Sequence, residues 1–150
     1  MFRSLISTHI SPVRVVGLHR STTLMRMLST KGPKLYDFEQ VKKLVLHPDE
    51  KKLLVDVREP DELKVYKLPN SINIPLKSAP GALGLPEKEF EELFKFQKPS
   101  KDQELIFFCQ LGMRAKASEE LAKSYGYEST GVWEGSIKEW LEKGGANIKP

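Results

Sequence analysis

From Lys34 onward, short continuous apolar runs alternate with longer stretches in which apolar residues fall three and four apart. The first kind of run reads as buried strand and the second as amphipathic helix. Lys34-Leu35-Tyr36 predicts a short strand. Asp37 with Gln40 three residues on has the spacing of a capping box. Val41, Leu44 and Val45 then mark one face of a helix through Leu46, which His47-Pro48-Asp49 ends. Leu53 to Val57 is a β-rich buried run, and Arg58-Glu59-Pro60-Asp61 turns into a short helix through Leu63. Pro69-Asn70 is a turn, and Ser71 to Ile74 a short strand stopped by Pro75. Lys77 to Gly84 reads as a loop. Pro86 opens a helix with Phe90, Leu93 and Phe94 on one face. Leu105 to Phe108 is a fourth strand. Ala115, Ser118, Leu121, Ala122 and Tyr125 mark a helix closed by Gly126. Thr130 to Trp133 is a fifth strand, and Ile137, Trp140 and Leu141 share a face of a last helix closed by Gly144-Gly145.

Strands alternating with helices predict the α/β class: a five-stranded, mainly parallel sheet with helices on both faces. About 120 residues is enough for one such core. No apolar run approaches the roughly 18 residues that cross a bilayer, so no membrane insertion is expected.

Charge changes the picture only at one end. Residues 1–30 hold Arg3, Arg14, Arg20 and Arg26 with no Asp or Glu, which leaves 20 basic against 20 acidic residues in the rest. The net charge of +4 therefore belongs to this leader, and nucleic-acid binding has no support from it. The leader is also rich in Ser and Thr, the composition of a mitochondrial transit peptide. Residues 1–28 are expected to be that peptide, with cleavage before Ser29 in Arg26-Met27-Leu28-Ser29, a domain over 29–150, and the matrix as destination.

Cys109 is the only cysteine, so no internal disulfide forms. With His47 the only histidine after the leader, a zinc site of Cys and His is excluded in practice, and no metal is expected. The sulfur stands where a parallel strand ends and a helix begins, where ligands gather in open sheets. Backbone N–H groups and the helix dipole there stabilise an anion, and a thiolate is one. A free cysteine after an apolar strand is usually buried and inert. Gly112 at the third position after it and Arg114 at the fifth argue for a nucleophile: the glycine frees the backbone, and the arginine adds a permanent charge. Cysteine phosphatases place five residues between Cys and Arg; here there are four, a cradle better sized for one added sulfur atom than for a phosphoryl group.

Four stretches together resemble the single-domain rhodaneses: Leu54-Val55-Asp56-Val57-Arg58-Glu59, Ile72-Asn73-Ile74-Pro75, the loop Cys109 to Arg114, and Gly135-Ser136-Ile137-Lys138-Glu139-Trp140. The likeness covers roughly Leu35 to Gly145 and is close to mitochondrial rhodanese-like proteins of yeasts. The loop Cys-Gln-x-Gly-x-Arg is also similar to that of thiosulfate:glutathione sulfurtransferases. The resemblance implies a rhodanese-like fold and a ping-pong sulfur transfer through a Cys109 persulfide, without a cofactor. It implies a small sulfur donor and a thiol acceptor such as glutathione (or cyanide); separately, a monomer is expected. The amides of Gln110, Leu111, Gly112, Met113 and Arg114 would hold the persulfide, and Arg114 would meet the sulfonate of a donor. Asp56 and Arg58 would support the loop as an ion pair, a role preferred to donor binding. Trp133 and Trp140 would be core or pocket wall, and Gly135 a backbone requirement. Glu134 stands where relatives often have glycine. Lys116 would either add positive potential at the mouth or lie on a solvated helix face. Two alternatives stay open: a rhodanese-fold interaction module without turnover, and a small cysteine-dependent phosphatase.

Overall fold

The computed structural model describes residues 32–150. The expected leader over 1–28 and its cleavage before Ser29 lie outside them. The chain runs β1 (Lys34–Tyr36), α1 (Phe38–Leu46), β2 (Lys52–Asp56), α2 (Pro60–Val65), β3 (Ser71–Asn73), α3 (Glu87–Phe94), β4 (Glu104–Phe108), α4 (Met113–Ser124), β5 (Thr130–Trp133) and α5 (Ser136–Glu142). The strands form one sheet in the order β1-β5-β4-β2-β3, and every pair is parallel.

Local chemistry explains most element ends. The capping box at α1 is formed: the Gln40 N–H donates to the Asp37 carboxylate at 2.8 Å, and the Asp37 N–H to Gln40 Oε1 at 3.0 Å. Pro60 sits in the first turn of α2, where its missing N–H costs nothing. Pro86 stands one residue before α3 rather than inside it. The expected loop before it contains one further element, a 3₁₀ turn at Ala82–Gly84 that buries Ala82 and Leu83.

Side chains along β4 alternate between the two faces, as strand geometry requires. Leu105, Phe107 and Cys109 join a cluster with Val55, Val57, Phe90, Ala115, Ala122 and Tyr127 under α3 and α4. Ile106 and Phe108 join Tyr36, Val41, Val45, Trp133, Ile137 and Trp140 under α1 and α5. Two expected core positions fall outside. Leu93 is 63% exposed and Leu141 42%, because Phe90 with Phe94, and Ile137 with Trp140, already fill the narrow contact that each short helix makes.

The topology fixes where chemistry can sit. After β2 the chain steps outward to β3; after β4 it steps outward the other way, to β5. The carboxyl ends of β2 and β4 therefore border a crevice from which the connections diverge, the place where parallel sheets bind ligands. Asp56 pairs with Phe108 in the register, and the Val57 N–H donates to the Phe108 carbonyl at 3.0 Å, so the strand ends stay joined up to the residue before Cys109.

Phe90 is fully buried, stacked on Phe94 at 4.4 Å and edge-on to Phe96 at 5.4 Å. Phe90→Ala should lower unfolding free energy by about 4 kcal/mol, measured by urea denaturation, through lost burial and the cavity left behind.

Candidate active site

Cys109 follows β4 directly and is 1% exposed. Four residues separate it from Arg114, and α4 starts inside that interval at Met113. The turn brings the Gly112 N–H to 3.0 Å from Cys109 Sγ. Of the five amides expected to surround the sulfur, Gly112 is the one that donates to it. It stands at the N-terminus of the twelve-residue helix α4, so its N–H is reinforced by the helix dipole.

Gly112 has φ of +99°, and a Cβ there would lie 2.5 Å from the Glu134 carbonyl oxygen. Both the left-handed backbone and the close approach require glycine. The other loop residues divide by exposure. Leu111 is 65% exposed and Met113 82%, while Gln110 is half-buried.

The loop is gripped from behind by the turn that leaves β5 and opens α5. The Cys109 N–H donates to Ser136 Oγ at 3.1 Å, the Ile137 N–H to the Cys109 carbonyl at 3.1 Å, and the Lys138 N–H to the Gln110 carbonyl at 3.1 Å. Ser136 is fully buried, and its hydroxyl donates to the Trp133 carbonyl at 2.8 Å. The left-handed position of this turn is Ser136, at φ +53°, and not Glu134 or Gly135. Gly135 is right-handed and needed for another reason: the Glu139 side chain lies across its Cα.

Arg114 is paired across the fold. Its guanidinium forms a two-pronged pair with Glu62 on α2, at 2.7 and 2.8 Å. This bond is the main reason why Glu62 sits well below the usual carboxylate range, at about 2. Burial opposes the shift, and the Glu59 N–H assists it. The same pair raises the pKa of Arg114, with smaller favourable contributions from the Cys109 and Asp56 charges. Asp56 and Arg58 form a second pair at 2.8 Å, both buried. Arg58 also donates to the Tyr66 carbonyl at 2.9 Å, tying the end of β2 to the end of α2. Lys116 pairs with Glu134 at 2.6 Å on the surface. Trp133 and Trp140 are fully buried, their rings 6.1 Å apart.

Two residues of this arrangement escape a sequence reading. Glu62 carries only the signal of standing three residues after Glu59 at a helix start. Ser136 carries none, since nothing in Gly135-Ser136-Ile137 announces a left-handed serine.

A buried sulfur thus stands at a strand end with one amide from a helix N-terminus on it and an arginine five residues on. The model of the rhodanese-like domain matches residues 37–143. The chain belongs to the rhodanese family. It is 62% identical over 137 residues to a mitochondrial thiosulfate sulfurtransferase of Saccharomyces cerevisiae, covering 91% of this chain and 92% of that one. It is 41% identical over 113 residues to a thiosulfate:glutathione sulfurtransferase of the same yeast, covering 75% and 81%. The crystal structure of a single-domain sulfurtransferase of S. cerevisiae superposes with a TM-score of 0.79 at 66% identity, covering 81% of this chain and 99% of that one. The five-stranded parallel sheet with helices on both faces is thus the rhodanese fold.

The rhodanese loop generates two predictions. Glu62→Gln should cost about 1 kcal/mol at pH 7, a modest figure because Arg114 and Glu62 are 23% and 35% exposed and solvent screens them. Glu62 is held at about 2 against an ordinary 4.5. Its stabilisation is therefore complete above pH 4.5 or so and disappears as pH falls through about 2, and urea midpoints of the two chains should converge over that window. Gly112→Ala should lower the thermal midpoint and slow sulfur transfer together, because the loop and the Glu134 carbonyl must separate. A variant with an unchanged midpoint and rate would show that the loop tolerates a side chain there.

Proposed function

We propose that this chain is a thiosulfate sulfurtransferase that carries the transferred sulfur on Cys109. The observation that carries the reading is the Gly112 N–H on Cys109 Sγ at the start of α4. That contact favours negative charge on Sγ as it attacks and again as it leaves. The Cys109 thiolate attacks the outer sulfur of thiosulfate. A new S–S bond forms, the old one breaks, and sulfite leaves with its electron pair. The enzyme is left as a persulfide anion. A thiolate acceptor then attacks the outer sulfur, takes it as its own persulfide and restores the Cys109 thiolate. Charge and atoms balance in both halves, so neither an outside oxidant nor a cofactor is needed.

Glutathione is the acceptor proposed, in line with the thiosulfate:glutathione sulfurtransferase to which the chain is similar. Asp56 and Arg58, being enclosed, act as an anchor for α2 rather than as donor ligands. Arg114, held by Glu62, contributes a fixed charge near the sulfur and meets a sulfonate only by partly leaving Glu62. The sulfur is nearly enclosed, so a donor enters by displacing loop side chains, and exposed Leu111 and Met113 have room to move. The similarity to a mitochondrial relative, with the acid-free leader, supports a transit peptide over residues 1–28, the domain from Ser29 onward, and action in the matrix.

Incubating the full chain with thiosulfate, removing excess donor and weighing the intact protein tests the reading. A gain of one sulfur, about 32 Da, that glutathione removes and Cys109→Ser abolishes is the expected result. No gain with thiosulfate or any other sulfane donor would favour an interaction module without turnover.

A further inference from the structure

We propose that Ser136 is a positioning residue for the reaction: its hydroxyl fixes the Cys109 backbone so that Sγ meets the Gly112 N–H. The assignment rests on the sulfur-transfer reading above and adds a residue to it.

Three observations converge on this serine. Its backbone is left-handed, φ +53°, which side chains other than glycine, Asn and Asp seldom adopt. Such strain persists where surrounding contacts over-determine it. Its side chain is the contact: Oγ accepts from the Cys109 N–H at 3.1 Å and donates to the Trp133 carbonyl at 2.8 Å. A hydroxyl can do both at once, and a glycine, which would suit the backbone better, can do neither. Finally, the site is sealed, with Ser136 fully buried and Cys109 1% exposed, so loss of the hydroxyl leaves an N–H and a carbonyl unpaired.

The neighbouring bonds show why position matters. The Ile137 and Lys138 N–H groups hold the carbonyls of Cys109 and Gln110, which leaves the Cys109 N–H as the third point of the clamp. Without it the residue can rotate about its two carbonyl contacts, and the sulfur moves relative to Gly112. A displacement near 1 Å in a reacting group costs on the order of a hundredfold in rate, and a partial one costs less.

Backbone strain and the hydroxyl can be separated by substitution. Ser136→Thr keeps the hydroxyl but puts a β-branched residue on a left-handed backbone. Ser136→Gly relaxes the backbone and loses the hydroxyl. Ser136→Ala loses the hydroxyl and keeps the strain. Single-turnover sulfite release from thiosulfate by the full chain gives the rate, its concentration dependence the apparent donor affinity, and thermal unfolding the stability. If the hydroxyl positions sulfur, rates follow it. S136T should stay within about threefold of the parent despite a lower midpoint, while S136G and S136A fall about tenfold or more with donor affinity within about twofold. Exchange of the Cys109 amide hydrogen should accelerate in S136G and S136A and not in S136T. Rates that track the thermal midpoint instead, or S136G at the parent rate, would overturn the assignment. So would failure of both S136G and S136A to fold, which would make Ser136 a determinant of the fold. A parent chain that releases no sulfite would overturn the sulfur-transfer reading itself, and this assignment with it.

Discussion

Everything at the active site depends on where the main chain of Cys109 is held. Its predecessor, Phe108, is bonded to Val57 beyond the end of β2, and Cys109 itself is bonded to the first residues of α5. Two neighbouring structures thus fix one residue from opposite sides of the sheet's switch point. The loop has little freedom left once these bonds form. Its remaining choice, the path from Cys109 to the start of α4, is made by a left-handed Gly112 that presses against the Glu134 carbonyl. A tight loop, not an array of side chains, is what presents an N–H to the sulfur.

Charge is arranged around this clamp without touching the sulfur. Asp56 and Arg58 are buried partners, and breaking such a pair is costly because one charge would remain enclosed. Arg58 extends the pair to the Tyr66 carbonyl, which holds α2, and α2 presents Glu62 to Arg114. The arginine five residues after Cys109 is therefore paired with a carboxylate at rest. A dianionic donor meets a moderated field rather than a bare guanidinium, which suits a site that must release sulfite after each turnover.

Much of this could be read from sequence. The β4 run Leu105 to Phe108, the capping box of Asp37 and Gln40, and Gly112 after Cys109 are local signals, and local chemistry decides them. The parallel order followed from alternation of strands and helices. What could not be read are contacts across the fold. Leu93 and Leu141 have the right spacing for a buried face, but spacing does not say how wide the contact is. Glu62 and Arg114 lie 52 residues apart and meet only because the sheet brings α2 beside α4. Ser136 is the hardest case, since its backbone is set by bonds to Cys109 and Trp133 and not by its own preference.

Burial and reactivity pull in opposite directions at Cys109, and the geometry reconciles them. The sulfur belongs to the apolar cluster with Val57, Phe107 and Ala115, the setting of an inert thiol, yet one of its sides faces the start of α4. Apolar walls lower the local dielectric. They also strengthen the single N–H and the helix dipole aimed at the sulfur, because little water competes. Few donors are then enough, provided that they are held rigidly. In the proposed persulfide the charge lies one atom beyond Sγ. Enclosure of the inner sulfur and access to the outer one are thus compatible, and the acceptor need reach only the second.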